Sequence, residues 1–479
     1  MADSHLSARS LAERLGHWRT RTPAYEALAD AIRLLSLDGR IAPNTALPAE
    51  RELAARLRVS RSTVAAAYAS LRDSAHITSI RGSGSVTRAV GRRDIPEQTN
   101  DEHAIDLMQA CPPAWPGLAA IYAQTVTDMP AIIAGGGYEM TGRPALRAAI
   151  AQRYTERGLP TNPAQILVTN GAQSAISMLS RLLVRRGDRV MMETPTYPHA
   201  ADTFLGDGAR LVGIPVLPGE GWDLERADEA LRRAAPVAAY LMPDFQNPTG
   251  ESMSDADAAR VASAARAAGT TLIVDETTAE LDIDRGGEVP TPFVVRSGGI
   301  EGIVTLGSLG KTVWGGLRIG WIRADEETIR RLVIARPSID LGTPDLEQAV
   351  AERLVPELPD IVRARASQLR EGRDTLVRQV ARCLPDWRAS APAGGVATWI
   401  ALGAPRSSAL VLEARRIGLL LSAGPRFSVG GGNERNLRVP FTADPAILTR
   451  AVDVLAEAWS HLARVESAAI EGSFYDAVV

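Results

Sequence analysis

The stretch SLGKTVWGGLR, residues 308–318, contains the only lysine of the 479-residue chain, whose other 52 basic side chains are all arginine. Arginine keeps its proton under physiological conditions, whereas a buried lysine loses its proton readily and can then attack a carbonyl group. The stretch follows the apolar run IVTL, residues 303–306, which predicts a buried strand. Lys311 is therefore a candidate Schiff-base nucleophile, unless it is a chance survivor on the surface.

Five further apolar runs alternate with helical stretches rich in Ala, Arg and Leu. They lie at residues 166–170, 189–193, 237–242, 271–276 and 319–324. This alternation predicts a mainly parallel sheet with helices on both faces. Ligands of such sheets bind at the carboxyl ends of the strands, so we expect the functional residues to follow directly after the strands.

Residues around two of these strand ends predict a phosphate site. Gly171, Ala172 and Gln173 follow the strand at 166–170 and open a helix, whose N-terminus attracts anions. Ser308, three residues before Lys311, adds a hydroxyl, and Arg318, seven residues after it, adds a positive charge. A glycine turn alone is a weak signal, but these groups beside a reactive amine are a stronger one.

Three other strand ends carry residues that suit a flat ring. Tyr197 offers an aromatic face, Asn247 in NPTG an amide, and Asp275 a carboxylate after the apolar residues 272–274. A tyrosine or an NPTG turn can be purely structural, but a buried aspartate needs a partner, which a protonated pyridine nitrogen supplies. Phosphate cup, amine, carboxylate and aromatic face together describe the site of pyridoxal 5'-phosphate.

The N-terminal stretch LPAERELAARLRVSRSTVAAAY, residues 47–68, predicts two helices joined by a short turn, with Ser60 as the cap of the second. In this helix-turn-helix, Arg61, Ser62 and Thr63 are placed to enter the major groove of DNA. The following HITSIRGSGSVTR, residues 76–88, predicts a β-hairpin whose tip lays Arg81 on the DNA backbone or in the minor groove.

Charge and composition also distinguish the N-terminal part of the chain, which we call the head, from the remainder. Residues 1–93 hold 15 arginines and 8 carboxylates, so this head carries +7, and the remaining residues carry −10 of the total −3. A basic head indicates a polyanionic partner. Two cysteines exclude a disulfide framework and a thiolate metal cluster, and the chain has neither a membrane-spanning apolar run nor a signal sequence. We therefore expect a cytoplasmic protein.

Residues 24–88 resemble the winged helix-turn-helix of GntR-type bacterial regulators, and residues 105–479 resemble fold-type I aminotransferases. The whole chain is similar to a MocR-type regulator, which joins these two parts. This implies an N-terminal winged helix-turn-helix domain (1–90), a linker (91–104), and an α/β aminotransferase-like domain (105–479) with a small C-terminal α+β subdomain from about residue 355. It also implies a homodimer that binds an operator with two half-sites.

The resemblance also implies site roles. Lys311 would form the internal aldimine, Asp275 would pair with the pyridinium, Asn247 would bind the ring hydroxyl, and Tyr197 would stack on the ring. Gln173, Ser308, Arg318 and the backbone of Ala172 would hold the phosphate, and Arg438 would grip an effector carboxylate with a bidentate fork. The residues expected at DNA are Arg51, Arg61, Ser62, Thr63, Arg81 and Gly82.

Three positions depart from the family pattern. Thr277 stands where a tyrosine normally touches the ring hydroxyl, and Gly310 where a hydroxyl normally precedes the lysine. Tyr138, the candidate to reach the partner subunit's phosphate, has spacing to Gly142 that is one residue short. With these changes we still expect the chain to bind the cofactor, but we do not expect rapid proton transfer.

The leading hypothesis is a transcription regulator that senses a small amine, an amino acid or pyridoxal 5'-phosphate itself through an aldimine at Lys311. A working aminotransferase with an accessory DNA-binding head is the alternative. A regulator whose body binds no cofactor is a third possibility, which the set Lys311, Asp275, Asn247 and Arg438 opposes.

Overall fold

The computed structural model describes residues 2–19, 23–80, 84–88, 104–284, 290–299 and 301–475, with side chains to residue 464. The N-terminal part has four helices and a four-stranded sheet of order β1-β2-β4-β3. Its helices are α1 (Ala8–Leu15), α2 (Ala24–Leu37), α3 (Glu50–Leu57) and α4 (Arg61–Asp73). Its strands are β1 (Ser4–His5), β2 (Thr45–Ala46), β3 (Ile77–Ile80) and β4 (Gly84–Thr87). The predicted winged helix-turn-helix is thereby confirmed.

The turn between α3 and α4 forms as the sequence predicts. Arg58 ends α3 in the left-handed conformation, with φ of 55°. The Ser60 side chain accepts a hydrogen bond from the Thr63 backbone N–H at 3.0 Å and so caps α4. Val64 and Leu71 of α4 are fully buried in a core shared with α1, α2 and α3. Helix α1 packs on the same core through Leu11 and Leu15.

The remainder of the chain contains the larger α/β part. Its strands are β5 (Ile105–Asp106), β6 (Ile166–Thr169), β7 (Arg189–Thr194), β8 (Arg210–Leu217), β9 (Gly221–Trp222), β10 (Ala238–Leu241), β11 (Thr271–Asp275), β12 (Ile303–Ser308), β13 (Gly320–Arg323), β14 (Arg388–Ala389), β15 (Ala397–Ala401), β16 (Leu419–Leu420) and β17 (Asn436–Pro440). Its helices are α5 (Leu118–Val126), α6 (Met129–Ile132), α7 (Pro144–Glu156), α8 (Ala172–Leu183), α9 (Pro198–Gly206), α10 (Leu224–Ala234), α11 (Asp255–Ala267), α12 (Phe293–Arg296), α13 (Glu326–Ala335), α14 (Asp345–Cys383), α15 (Ser407–Arg416) and α16 (Pro445–Tyr475).

Eight of these strands form the central sheet, in the order β6-β13-β12-β11-β10-β7-β8-β9. Strands β8, β7, β10, β11 and β12 pair in parallel, and β13 runs antiparallel between β12 and β6. Consecutive residues of one strand alternate between two buried cores: Leu272 and Val274 lie in one, Ile273 in the other. Burial on both faces explains why these strands are continuous apolar runs rather than alternating ones.

A smaller α+β part is built around the sheet β14-β15-β17 and the long helices α14 and α16. Strand β5 pairs in parallel with β16, and Ile105 of this strand and Leu107 after it are buried in the same core. The start of the α/β part therefore packs with its C-terminal end. A subdomain beginning near residue 355 omits this segment, because apolar spacing cannot reveal a pairing across about 300 residues.

The head lies against this smaller part. Leu34 of α2 packs against its core, and α2 contacts α15. Within the described residues, every helix is too short or too polar to span a bilayer. Residues 81–83 at the wing tip and residues 89–103, which hold nearly all of the predicted linker, lie outside the described residues.

Candidate functional site

The carboxyl ends of neighbouring parallel strands bring the predicted ring-binding residues to one edge of the sheet. Tyr197 follows β7, Asn247 follows β10, Asp275 ends β11, and Lys311 follows β12. These strands are adjacent in the order β12-β11-β10-β7. Residues that are up to 114 positions apart in the sequence therefore face one cleft, as the strand pattern predicts.

Lys311 lies in the loop after β12 and is largely shielded from solvent. Its Nζ donates a hydrogen bond to the Ala110 carbonyl at 2.6 Å. Burial lowers the pKa of Lys311, and the charges of Arg438 and Arg318 lower it further, against the opposing effects of Cys111 and Asp275. A larger fraction of this amine is therefore neutral, and nucleophilic, near neutral pH than for a lysine in water.

Asp275 is 2% exposed and has two hydrogen-bond donors beside it. The Tyr240 hydroxyl donates to one carboxylate oxygen at 2.5 Å, and the Thr277 backbone N–H donates to the other at 2.9 Å. Burial raises the pKa of Asp275, while the hydrogen bonds from Thr277 and Tyr240 act in the opposite direction. A cationic ring nitrogen beside this carboxylate would stabilise its charged form.

Sequence reasoning did not identify Tyr240 as part of the site. It lies within the apolar run of β10, where a tyrosine usually means core packing. The available signal was its position: β10 pairs with β11, and Tyr240 lies opposite Ile273, two residues before Asp275.

Asn247 and Tyr197 complete the ring-binding edge. Asn247 Oδ1 is buried without a hydrogen-bond partner among the described residues. Tyr197 is partly buried at the N-terminus of α9, and burial raises the pKa of its hydroxyl to about 12. An unpartnered buried amide oxygen is costly, so this position calls for a donor such as a ring hydroxyl.

The predicted phosphate residues surround the N-terminus of α8. Gly171, with φ of 82°, precedes α8, and a Cβ atom on it would lie 2.8 Å from Arg318 Nη2. Arg318 Nη2 donates to the Asn170 carbonyl at 2.9 Å, so its guanidinium lies beside the free N–H groups that begin at Ala172. Backbone, dipole and guanidinium form an anion-binding corner.

The other two phosphate candidates are engaged in local hydrogen bonds. Ser308 Oγ donates to the Ile319 carbonyl and accepts from the Gly310 N–H, both at 3.0 Å. Gln173 Nε2 donates to Thr203 Oγ1 at 2.8 Å, whereas its Oε1 is buried without a partner in the described chain. Their phosphate contacts remain predictions.

Arg438 lies in β17, is 6% exposed, and is close enough to Tyr197 and Lys311 to lower the pKa of each. Burial lowers its pKa to about 10. Its guanidinium packs 4.9 Å from the centre of the Phe427 ring, and Nη2 donates to the Met108 carbonyl at 2.6 Å. Its Nε is buried and unpartnered in the described chain. A buried arginine with donor capacity to spare suits a carboxylate ligand.

These observations fit a site for pyridoxal 5'-phosphate. The unpaired Asn247 oxygen suits the ring hydroxyl, and the buried Asp275 carboxylate suits the ring nitrogen. The corner at Gly171 and Arg318 suits the phosphate, because a side chain on Gly171 would clash with the guanidinium there. Lys311 lies in the loop between these groups with a lowered pKa, as a covalent attachment point requires.

The predicted DNA-contacting side chains of the described head lie on its surface. Arg51, Arg61 and Ser62 are exposed, and Thr63 is partly exposed. Arg61 Nε lies 3.4 Å from a Glu50 carboxylate oxygen, an exposed pair of little energetic weight. Arg81 and Gly82 lie outside the described residues. Tyr138 is 73% exposed, and its contact with a partner subunit remains a prediction.

Comparisons with known families match both parts of the chain. Residues 136–455 match the family described as aminotransferase class I and II. Residues 24–86 match the bacterial regulatory proteins of the gntR family. The first match covers more than half of the chain, and the second covers the helix-turn-helix with most of its wing.

Individual relatives include both regulators and an aminotransferase. The probable rhizopine catabolism regulatory protein MocR of Rhizobium meliloti is 31% identical over 63% of this chain and 65% of its own. An uncharacterized HTH-type transcriptional regulator of Bacillus subtilis, YdfD, is 25% identical over 86% of this chain and 92% of its own. The solved structure of LysN, an α-aminoadipate aminotransferase of Thermus thermophilus complexed with N-(5'-phosphopyridoxyl)-L-leucine, is 26% identical, with a TM-score of 0.68 over 76% of this chain and 93% of that one.

Proposed function

Because this chain belongs to the class I and II aminotransferase family and carries a GntR-family helix-turn-helix, we propose that it is a transcription regulator that senses an amine through pyridoxal 5'-phosphate. The head binds DNA and the α/β part binds the cofactor and the effector. The observation that carries this proposal is the position of the only lysine, Lys311, at the sheet edge that also holds the buried Asp275.

The residues of the site divide the work of holding the cofactor. The N-terminus of α8 and Arg318 would bind the phosphate, and the Asp275 carboxylate would accept a hydrogen bond from the protonated ring nitrogen and stabilise its positive charge. Asn247 hydrogen-bonds the ring hydroxyl, and Tyr197 covers one face of the ring. When bound, pyridoxal 5'-phosphate supplies an electrophilic aldehyde carbon for a primary amine. Burial keeps part of the Lys311 amine neutral, as this attachment requires.

The same site selects an effector with two groups. Arg438 offers a planar fork for a carboxylate, and the Nζ position of Lys311 is the place that an incoming amino group would take. An amino acid therefore fits better than a simple amine, because it engages Arg438 as well. In the described structure, Arg438 donates to the Met108 carbonyl and Lys311 donates to the Ala110 carbonyl. An amino-acid effector would replace both of these hydrogen bonds.

DNA recognition resides in the head. Helix α4 exposes Arg61 and Ser62 at its N-terminus, where a recognition helix contacts bases. The +7 charge of residues 1–93 supplies attraction to phosphates. Class I and II aminotransferase domains form dimers, so two heads would read two half-sites spaced by whole turns of the DNA helix.

Selection of bound sequences from a random DNA pool tests the regulator function. The purified full chain is expected to enrich a motif with two half-sites, and adding pyridoxal 5'-phosphate is expected to change its affinity or preferred spacing. Absence of any enriched motif under both conditions would contradict a DNA-binding regulator.

An active aminotransferase is the second candidate, favoured by the completeness of the set Lys311, Asp275, Asn247 and Arg438. Thr277 opposes it, because its side chain is too short to reach the ring hydroxyl as a tyrosine at this position would. We expect at most slow single-turnover transfer with common amino acids, well below the usual enzyme range of about 1–1000 per second. A robust steady-state rate with an ordinary donor and acceptor would make the enzyme the primary function.

A further inference from the structure

The head and the α/β part meet at a loop between the short helical turn Gly424–Phe427 and strand β17. We call residues 424–432 the glycine loop, because Gly430, Gly431 and Gly432 follow one another with φ of 83°, 87° and 106°. Such conformations favour glycine at each position. The loop lines a cleft whose other wall consists of head residues, among them His17 and Asp38.

Backbone lies directly against backbone where the glycine loop meets the head. A Cβ atom on Gly431 would lie 2.3 Å from the His17 backbone nitrogen, and one on Gly16 would lie 2.3 Å from the Gly430 carbonyl oxygen. Neither neighbour is a side chain that can rotate away. This contact therefore requires glycine on both sides.

Charged side chains also lie at this contact. Arg426 lies 3.8 Å from an Asp38 carboxylate oxygen at the end of α2 and 2.5 Å from an Asp202 carboxylate oxygen in α9. The Arg426 side chain is only 9% exposed, so water screens these pairs weakly. Helix α9 begins directly after Tyr197, so Arg426 ties the head to an element of the cofactor site.

The other side of the glycine loop reaches the effector site. Phe427 is 2% exposed and packs beneath the Arg438 guanidinium. Its carbonyl accepts the Thr196 N–H at 2.8 Å, one residue before Tyr197. The Val429 N–H donates to Thr194 Oγ1 at 3.1 Å. Gly430 and Gly431, which contact the head, thus follow Phe427, which contacts Arg438, by only three and four positions.

We propose that the glycine loop couples occupancy of the effector site to docking of the DNA-binding head. This inference rests on the proposed function. When a carboxylate ligand binds Arg438, the Arg438 guanidinium moves away from the Met108 carbonyl and across the Phe427 ring. Phe427 is packed on all sides, so the neighbouring Arg426 and Gly430–Gly431 shift with it, and the backbone contact with Gly16 and His17 loosens.

The coupling must also act in reverse, because a ligand that weakens docking binds more tightly once the head is undocked. A coupling of biologically useful size changes affinity by about fivefold or more. The chain offers a matched pair of variants to measure it. Gly431→Ala drives a methyl group into the His17 backbone, whereas Gly430→Ala, at nearly the same φ, places its methyl group where no atom lies within 4 Å.

The test uses the full chain and two compounds. Phosphopyridoxyl-L-alanine carries phosphate, ring and α-carboxylate, and pyridoxamine 5'-phosphate lacks the carboxylate. We measure the dissociation constants of both, and hydrogen exchange in residues 8–19 and 424–432, for wild type, Gly431→Ala and Gly430→Ala. In the wild type, phosphopyridoxyl-L-alanine is expected to speed exchange in residues 8–19, and pyridoxamine 5'-phosphate to leave it unchanged.

In Gly431→Ala, exchange in residues 8–19 is expected to be fast without ligand, and phosphopyridoxyl-L-alanine to bind about fivefold or more tightly. Gly430→Ala is expected to match the wild type. Fast exchange with unchanged affinity would show docking without coupling, and unchanged exchange would show that the head does not dock here; either result overturns the inference. If the wild type binds neither compound, the proposed cofactor site is refuted, and the inference that rests on it is refuted as well.

Discussion

At the residue scale, Lys311 should carry the cofactor covalently. Borohydride treatment of the chain loaded with pyridoxal 5'-phosphate is expected to add the phosphopyridoxyl mass to the peptide that contains Lys311. Because burial lowers the pKa of Lys311, attachment should persist at pH values where free lysine side chains are almost fully protonated. Lys311→Ala should keep weaker, non-covalent binding through the phosphate and ring contacts. An unmodified Lys311 peptide in loaded, reduced protein would refute the assignment.

Tyr240→Phe should weaken both folding and cofactor binding. The variant removes a donor to the buried Asp275, a loss of about 1–3 kcal/mol, and so raises the pKa of that carboxyl further. Tyr154→Phe is the matched control, because Tyr154 is equally buried and its hydroxyl accepts from Trp321 Nε1 at 3.1 Å. Urea unfolding should show a loss in both variants, whereas pyridoxal 5'-phosphate titration should show a loss only in Tyr240→Phe. Equal cofactor affinity in the two variants would assign Tyr240 a purely structural role.

The chemistry of single residues locates the site more directly than the strand pattern does. One lysine among 53 basic residues is enough to single out Lys311 from the sequence. The structure adds what composition cannot show: its Nζ is buried, donates to the Ala110 carbonyl, and lies within the electrostatic reach of Arg438. Tyr240 could not be identified in the same way, because a tyrosine in a buried strand reveals a functional partner only once the neighbouring strand is known.

At the scale of elements, local signals identified six of the eight strands of the central sheet, and β8 and β9 were not predicted. The six predicted strands of the central sheet all form, within two residues of their predicted ends. Helix α4 begins at its predicted cap, Ser60, because a serine hydroxyl satisfies the free N–H of Thr63. The sequence did not predict which strands pair or in what register. For example, nothing in Ile105–Asp106 indicates that β16 is the partner of β5.

Arg61→Ala should relax DNA preference at one base pair. A base-reading arginine contributes about 1–3 kcal/mol of discrimination, whereas a phosphate-contacting arginine contributes equally to all sequences. Arg72→Ala is the control, because it removes the same charge from the last turn of the same helix. Arg81→Ala, in the wing, should weaken binding to all duplexes and reduce its salt dependence. Binding of specific and random duplexes at two salt concentrations measures both effects; equal losses on both duplexes for Arg61→Ala would remove its base-reading role.

At the scale of the whole molecule, the sequence predicted two parts but not their contact. The charge division between head and remainder indicated separate roles. The glycine loop reads as an ordinary polar turn in the sequence, since its glycines matter only when Gly16 lies against them. Docking joins residues about 400 positions apart, and such long-range packing leaves no local periodic pattern.

Docking of the head should strengthen as the pH falls. Burial between the two parts raises the pKa of Asp38 to about 6, despite the opposing charges of Arg426 and Arg40. Its ordinary value is 3.8, so the docked state binds a proton that the undocked state releases between about pH 4 and 6. Docking is therefore strongest below that interval and loses this contribution as the pH rises through 6. The charged groups around Asp38 are Arg426, Arg40, Arg415, Asp202, Arg14, Glu13, His17 and Glu434.

Hydrogen exchange in residues 8–19, corrected for the intrinsic pH dependence of exchange, measures this effect. Asp38→Asn should remove the dependence between pH 4 and 6 and keep the head docked at neutral pH, because an amide carries no charge to desolvate. An unchanged pH profile in Asp38→Asn would show that Asp38 is not the titrating group.

The protein is expected to read DNA with its head and to sense pyridoxal 5'-phosphate at Lys311. The most direct test is the affinity of the full chain for its selected DNA sequence, measured with and without pyridoxal 5'-phosphate, in wild type and Lys311→Ala. We predict that the cofactor changes the affinity of wild type, that Lys311→Ala binds the DNA but responds weakly, and that residues 104–479 alone do not bind. Equal affinity of wild type with and without the cofactor, together with binding by residues 104–479 alone, would contradict the account.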